Sequence, residues 1–231
     1  MDALINYLLR DAKILSKTID RNRLEMNEGG FSDESYAALT AAIEDLSIKE
    51  TAQETAAKEA ENQTALQNET LSQIQKIVSD VKSAAKSAYG KDPRNLNMFN
   101  IGANVPQTLK RLVAECEYLN KLVQERKAVL LKNGLKQAKI DILSGAGETL
   151  NASDDAQEGA KKIKKMRTSE RDEAAKALKE ETFKIRNFAK ACFSEKPLIL
   201  EQFKPLPRGR GGSGNDEDET PPENPTPPAG S

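Results

Sequence analysis

The sequence predicts an all-α fold: an elongated antiparallel helical bundle of two tandem copies of one helical unit, followed by a disordered tail. Three observations predict it. The stretch from Glu50 to Tyr89 contains no Gly or Pro and is rich in Ala, Glu, Gln, Lys and Thr. A counterpart of that stretch lies 104 positions on, from Asp154 to Phe193. Aromatic content is only 4% against 31% charged residues, with no Trp and no His, which suits long amphipathic helices better than a sheet-based core.

The first unit, residues 1–104, opens with an expected helix over 2–26. Leu4, Ile5, Leu8, Leu9, Ala12, Leu15 and Ile19 recur at spacings of three and four, and Asp2 is placed to cap it. Asn27-Glu28-Gly29-Gly30 stops it. Ser32 or Asp33 caps a second helix over 33–46, carried by Tyr36, Leu39, Ile43 and Leu46. The long helix over 50–89 follows, either straight on or after a bend near Ser47. Its seam reads Leu71, Ile74, Val78, Val81, Ala85 and Ala88, and runs backwards in phase through Gln67, Thr64, Ala60, Ala57, Gln53 and Glu50. The seam is therefore continuous but polar in its middle. Gly90 and Asp92-Pro93 end the helix, and residues 90–104 read as a connector.

The second unit, residues 105–205, repeats this plan. A helix over 106–133 starts with Pro106 at its first position and carries Leu109, Leu112, Val113, Cys116, Leu119, Leu122, Val123, Val129 and Leu130. A short helix over 135–143 precedes a flexible turn at Ser144-Gly145-Ala146-Gly147. Ser153 or Asp154 caps a long helix over 154–193, with Ala156, Ala160, Ile163, Met166, Ala174, Leu178, Ile185, Phe188 and Cys192 on its inner side. An extended exit segment, 194–205, closes the unit.

The halves align without a gap at the 104-residue offset. Leu8 falls on Leu112, Leu15 on Leu119, Gly30 on Gly134, Leu39 on Leu143 and Leu46 on Leu150. Ala52-Gln53-Glu54 falls on Ala156-Gln157-Glu158, Pro93 on Pro197 and Phe99 on Phe203. Matching breakers in one register argue for duplication over chance similarity of helix-rich sequence. A unit that cannot bury its own apolar face packs on its copy. Tyr89 with Phe99, and Phe193 with Phe203, read as packing anchors at the helix ends.

Composition excludes several function classes. A net charge of −1 gives no global field for nucleic acid or an anionic membrane. With no His, Ser/Cys–His catalysis and the Glu-x-x-His di-metal site are ruled out, and no phosphate-binding Gly-rich loop is found. The two cysteines, Cys116 and Cys192, lack metal-ligand spacing and align with core-facing Ala12 and Ala88, so they read as buried filler. No catalytic, cofactor-binding or metal-binding residue is expected. No leader with a cleavage site and no spanning apolar run is seen, so the expectation is a cytoplasmic protein.

The expected function is a non-enzymatic structural, scaffolding or protein-interaction bundle acting through helix–helix contacts, with a protein partner or self-association. The thin polar seam at Ala57–Gln67 and its counterpart, Lys161–Arg171, is where a partner helix would dock. The possible interaction surface is Lys161, Lys162, Lys164, Lys165 and Arg167. The alternative is a nucleic-acid-binding accessory protein using Lys161–Arg171 and Arg208–Gly212. Residues 206–231, rich in Gly, Pro and acids, read as a disordered tail.

Overall fold

The computed structural model describes residues 2–207, which form eight α-helices and no strand. In chain order these are α1 (Ala3–Arg21), α2 (Arg23–Glu28), α3 (Asp33–Tyr89), α4 (Pro93–Met98), α5 (Leu109–Glu125), α6 (Lys127–Lys132), α7 (Gln137–Cys192) and α8 (Pro197–Gln202). The expected tail lies outside the described residues, apart from Leu206 and Pro207.

The helix starts follow the local chemistry. The Asp2 carboxylate accepts from the backbone N–H of Leu4, and the Ser32 hydroxyl from that of Ser35. Asp92 caps α4 through the N–H of Arg94, with Pro93 in the first turn, where its missing N–H costs nothing. Gly30 and Gly134 both have φ of 95°, a left-handed conformation that reverses the chain into α3 and α7. At both turns the next residue bonds back into the preceding helix, Phe31 to Met26 at 2.9 Å and Leu135 to Leu130 at 3.1 Å. The starts of α2 and α6, α3 and α7, and α4 and α8 are each 104 residues apart.

The helix over 33–46 runs straight on into that over 50–89, the first of the two alternatives, as one helix of 57 residues, about 85 Å long. No breaker separates them, and Leu46 and Glu50 are both buried on one continuous seam. Other expected boundaries need correction. The short helix over 135–143, the turn at Ser144–Gly147 and the helix over 154–193 are one helix of 56 residues. Glycine inside a helix costs about 1 kcal/mol relative to alanine. Here that cost is outweighed by Ile140, Leu143, Ala146 and Leu150, buried at helical spacing on both sides of Gly145 and Gly147.

The helices expected over 2–26 and 106–133 are each split, at Asn22 (φ −111°) and at Arg126 (φ −114°). Pro106 precedes α5, which opens only at Leu109. Finally, the connector and the exit segment are not simply extended, since each contains a helical turn and a half, α4 and α8.

α3 and α7 run antiparallel and form the axis of the molecule. Each end of this pair has its own core. One core joins Ile5, Leu8, Ala12, Leu15 and Ile19 of α1 to Leu39 and Leu46 of α3 and to Leu178, Ile185 and Ala189 of α7. The other joins Leu112, Cys116, Leu119 and Val123 of α5 to Ile74, Val78 and Val81 of α3 and to Ile140, Leu143 and Leu150 of α7. Both cores thus draw on residues from either side of position 104. Phe99 and Phe203 are buried at the two tips, stacked on Tyr89 and Phe193 with ring centroids 5.9 and 5.5 Å apart.

A buried ion pair ties each third helix to its long helix. Arg186 donates to Asp11 at 2.8 Å, and Lys82 lies 2.9 Å from Glu115. The two pairs occupy equivalent positions at the 104-residue offset, with donor and acceptor on corresponding helices. Around them the connectors also bond, the N–H of Leu206 to Asp11 at 2.9 Å and the Asn100 amide to Glu115 at 3.0 Å. Among the described residues no helix is long and apolar enough to cross a membrane.

Candidate interaction site at the waist

Between the two cores, α3 and α7 pass through a waist, from Glu50 to Gln67 on one helix and from Asp154 to Arg171 on the other. At 1.5 Å per residue this is about 26 Å long. The seam here is made of small and polar residues: Ala56, Ala60, Gln67, Gln157 and Ala160 are buried. The Gln67 amide donates to Asp154 at 2.7 Å, and the Gln157 amide to the Thr64 hydroxyl at 3.2 Å. At the offset position of the first bond, Arg171 faces Glu50 at 3.7 Å.

Glu50 is 2% exposed. One of its oxygens accepts from the Asp2 backbone N–H at 3.2 Å, while the other has no hydrogen bond. Arg171 compensates its charge without a direct bond. Burial works against the Arg171 guanidinium, but Asp172, then Glu50 and Asp2, more than offset it and hold its pKa above the ordinary value.

The sequence expectation for the inner side of α7 holds at Ala160 in this region but fails at three other positions. Ala156, Ile163 and Met166 are exposed, Ile163 by 51% and Met166 by 48%. Gln157 and the half-buried Lys164, Thr168 and Arg171 face inward with Ala160 instead. Packing of the two backbones sets the register, and at these positions the inward residues are polar. On α3 the expected seam holds throughout, and each of its residues from Tyr36 to Ala88 is buried or half-buried.

The displaced apolar residues open a groove. Ile163 and Arg167 of α7 line it with Ile48, Thr51, Ala52, Thr55, Ala56 and Glu59 of α3, around a volume of about 670 Å³. A smaller recess of about 260 Å³ continues it past Gln63, Ala156, Gly159 and Ala160. Sequence reasoning missed Ile48, which is 59% exposed and lies off the seam. Its spacing to Ala52, Ala56 and Glu59 marks a second helical stripe that could have been read.

Of the basic residues singled out in sequence, Lys161 is held by Glu158 at 2.9 Å and Arg167 by Glu170 at 2.8 Å. These contacts draw the Glu158 and Glu170 carboxyls below their ordinary pKa, mainly through the hydrogen bonds from Lys161 and Arg167. Lys162 and Lys165 are exposed, whereas Lys164 is half-buried. Arg208–Gly212 lies outside the described residues. Cys116 is buried, and that burial, with Glu115 and Glu117, pushes its thiol up to about 11. Cys192 is half-buried, its sulfur 3.6 Å from the Glu25 carbonyl, and both cysteines are free. No protein-family model matches the chain, and no curated protein or solved structure is similar to it.

Proposed function

We propose that the protein is a duplicated, non-enzymatic scaffolding bundle that binds a partner helix along the waist. The observation that carries this reading is the groove beside Ile48 and Ile163. Apolar side chains are left outside a seam whose own contacts are polar. An amphipathic helix placing its apolar stripe there would cover Ile48, Ala52, Ala56 and Ile163, with Glu59 and Arg167 as polar rim. Duplication is supported by the offset-matched helix starts, ion pairs and aromatic stacks described above.

The nucleic-acid reading has less support. Lys161, Arg167 and Arg171 already face carboxylates of the same bundle, which lowers the charge available to phosphate.

The test is affinity capture from the native host with the wild-type chain and with Ile48→Ser/Ile163→Ser. Both side chains are exposed, so the variant keeps its helical circular dichroism and melting temperature. The expected result is a partner retained by the wild type and lost from the variant. Identical retention by both chains would remove the groove from consideration.

A further inference from the structure

The outer face of α1 is a second surface that the waist does not use. Its inner face is buried through Ile5, Leu8, Leu9, Ala12, Leu15 and Ile19. Its outer face carries Arg10, Lys13, Lys17 and Arg21, all exposed and at helical spacing along about 16 Å. Among the described residues none of these four cations has an ion pair. Asp20, on the same helix, is engaged by Arg23 at 3.8 Å and by the Tyr36 hydroxyl at 3.0 Å. The offset positions on α5 are Ala114, Glu117, Lys121 and Glu125. Of the two equivalent helices, α1 carries this basic stripe and α5 does not.

The end of the described chain lies beside Arg10, at the first cation of this stripe. Arg186 holds the Phe203 carbonyl at 2.9 Å, and Asp11 accepts from the N–H of Leu206 at 2.9 Å. The Tyr7 hydroxyl donates to the Leu206 carbonyl at 2.8 Å. Leu206 and Pro207 then line one recess with Ala3, Asn6, Tyr7 and Arg10. Beyond Pro207 the sequence reaches four consecutive acids, Asp216-Glu217-Asp218-Glu219. The intervening residues 208–215 span at most about 25–30 Å when extended, so the acids can reach every cation of the stripe.

We propose that Asp216–Glu219 docks on the Arg10–Arg21 face of its own chain. Each exposed ion pair is weak alone. Tethering at Pro207, beside Arg10, supplies an effective concentration in the millimolar range, so several weak pairs suffice. The acidic segment then acts as a built-in competitor, holding this face against other anionic ligands.

Zero-length carbodiimide coupling of the full chain tests this, because it joins only carboxylates and amines already in contact. We expect Asp216–Glu219 to couple to Lys13 and Lys17 within one molecule, shown by the absence of mixed pairs in a sample of labelled and unlabelled chains. The yield falls several-fold between about 20 and about 500 mM salt, as the Debye length shrinks. It disappears in Asp216→Asn/Glu217→Gln/Asp218→Asn/Glu219→Gln, a variant that leaves all described residues unchanged. Coupling chiefly to Lys161–Lys165, coupling only between molecules, or no coupling at low salt would each overturn the proposal.

Discussion

At each end of the bundle a third helix packs against both α3 and α7; at the waist the same two helices pack on each other, joined only at its edge by Asp2, which contacts Glu50 and Arg171. The ends bury branched and aromatic side chains, Leu15, Ile19, Leu112 and Leu119 among them, while the waist buries Ala56, Ala60, Ala160, Gln67 and Gln157. A buried leucine contributes about 1.5–3 kcal/mol by leaving water, and an alanine far less. Hydrophobic stabilisation is therefore concentrated at the two ends, and the waist stays helical because α3 and α7 thread both cores. The comparison teaches that helix continuity and packing strength are separate properties here. It also implies that backbone amides at Ala57–Gln67 exchange with solvent faster than those at Ile74–Ala85 of the same helix.

Truncation in the end cores gives the largest effects. Leu15→Ala and Leu119→Ala, at equivalent places in the two cores, should each cost about 2–5 kcal/mol in urea unfolding. Hydrogen exchange sharpens the comparison. Leu15→Ala should speed exchange mainly in α1, the first half of α3 and the second half of α7, and Leu119→Ala in the complementary set. Uniform acceleration by either variant would show that the waist couples the ends tightly, contrary to its thin packing.

The buried ion pairs come next. Asp11→Ala strands Arg186, and Glu115→Ala strands Lys82, each in a largely buried setting. Breaking one partner of such a pair costs about 3–5 kcal/mol when burial is complete, and both sites retain some exposure, so about 2–4 kcal/mol is expected. Lys82→Met/Glu115→Leu removes both charges and should recover most of the loss from Glu115→Ala. The Lys82 ammonium has no hydrogen bond within the described residues despite its 2.9 Å approach to Glu115, which makes this the easier pair to replace. Failure of the double variant to recover stability would assign Asn100 and its connector a larger part in holding α5.

Legibility in the sequence followed the same division. Where apolar residues are dense, periodicity located the buried faces: Leu39, Leu46, Ile74, Val78 and Val81 on α3, and Leu178 and Ile185 on α7, lie where spacing puts them. At the α7 waist, Ile163 and Met166 drew the inner face about a quarter-turn off, since hydrophobicity alone cannot say which apolar residue a thin seam leaves out. The 104-residue offset carried the better information there, because Gln53, Ala60, Thr64 and Gln67 project onto Gln157, Lys164, Thr168 and Arg171. Gly145 and Gly147 misled for a related reason. A glycine's local cost reads as a break in sequence, although the burial of residues on both sides is worth more.

Cys116 provides a pH-dependent difference between the two cores. Its thiol is raised to about 11 by burial and then by Glu115 and Glu117. The folded state keeps a proton that the unfolded chain gives up at its ordinary value, 9.0. Stability from this source is thus complete below about pH 9 and is lost as pH rises towards about 11. The alkaline loss in unfolding free energy should be smaller in Cys116→Ala than in the wild type by up to about 2 kcal/mol. The offset position holds Ala12, so alanine fits the site's geometry. Equal pH slopes for both chains would place the alkaline loss elsewhere.

The smallest effect is expected at the waist, from making its two polar contacts alike. Gln67 hydrogen-bonds Asp154 at 2.7 Å, while at the offset positions Arg171 meets Glu50 at 3.7 Å. Gln67→Arg would place a guanidinium against Asp154, exchanging a neutral donor for a charged one in a half-buried setting. The gain from a charge-assisted bond is then opposed by desolvation of the guanidinium and by the entropy of fixing a longer side chain. These contributions nearly cancel, so a change within about 1 kcal/mol in either direction is expected from urea unfolding. A loss above about 2 kcal/mol would mean that the waist is packed as tightly as the ends and cannot accept a larger side chain. The distinction between a strong end and a permissive middle would then fail at its most direct test.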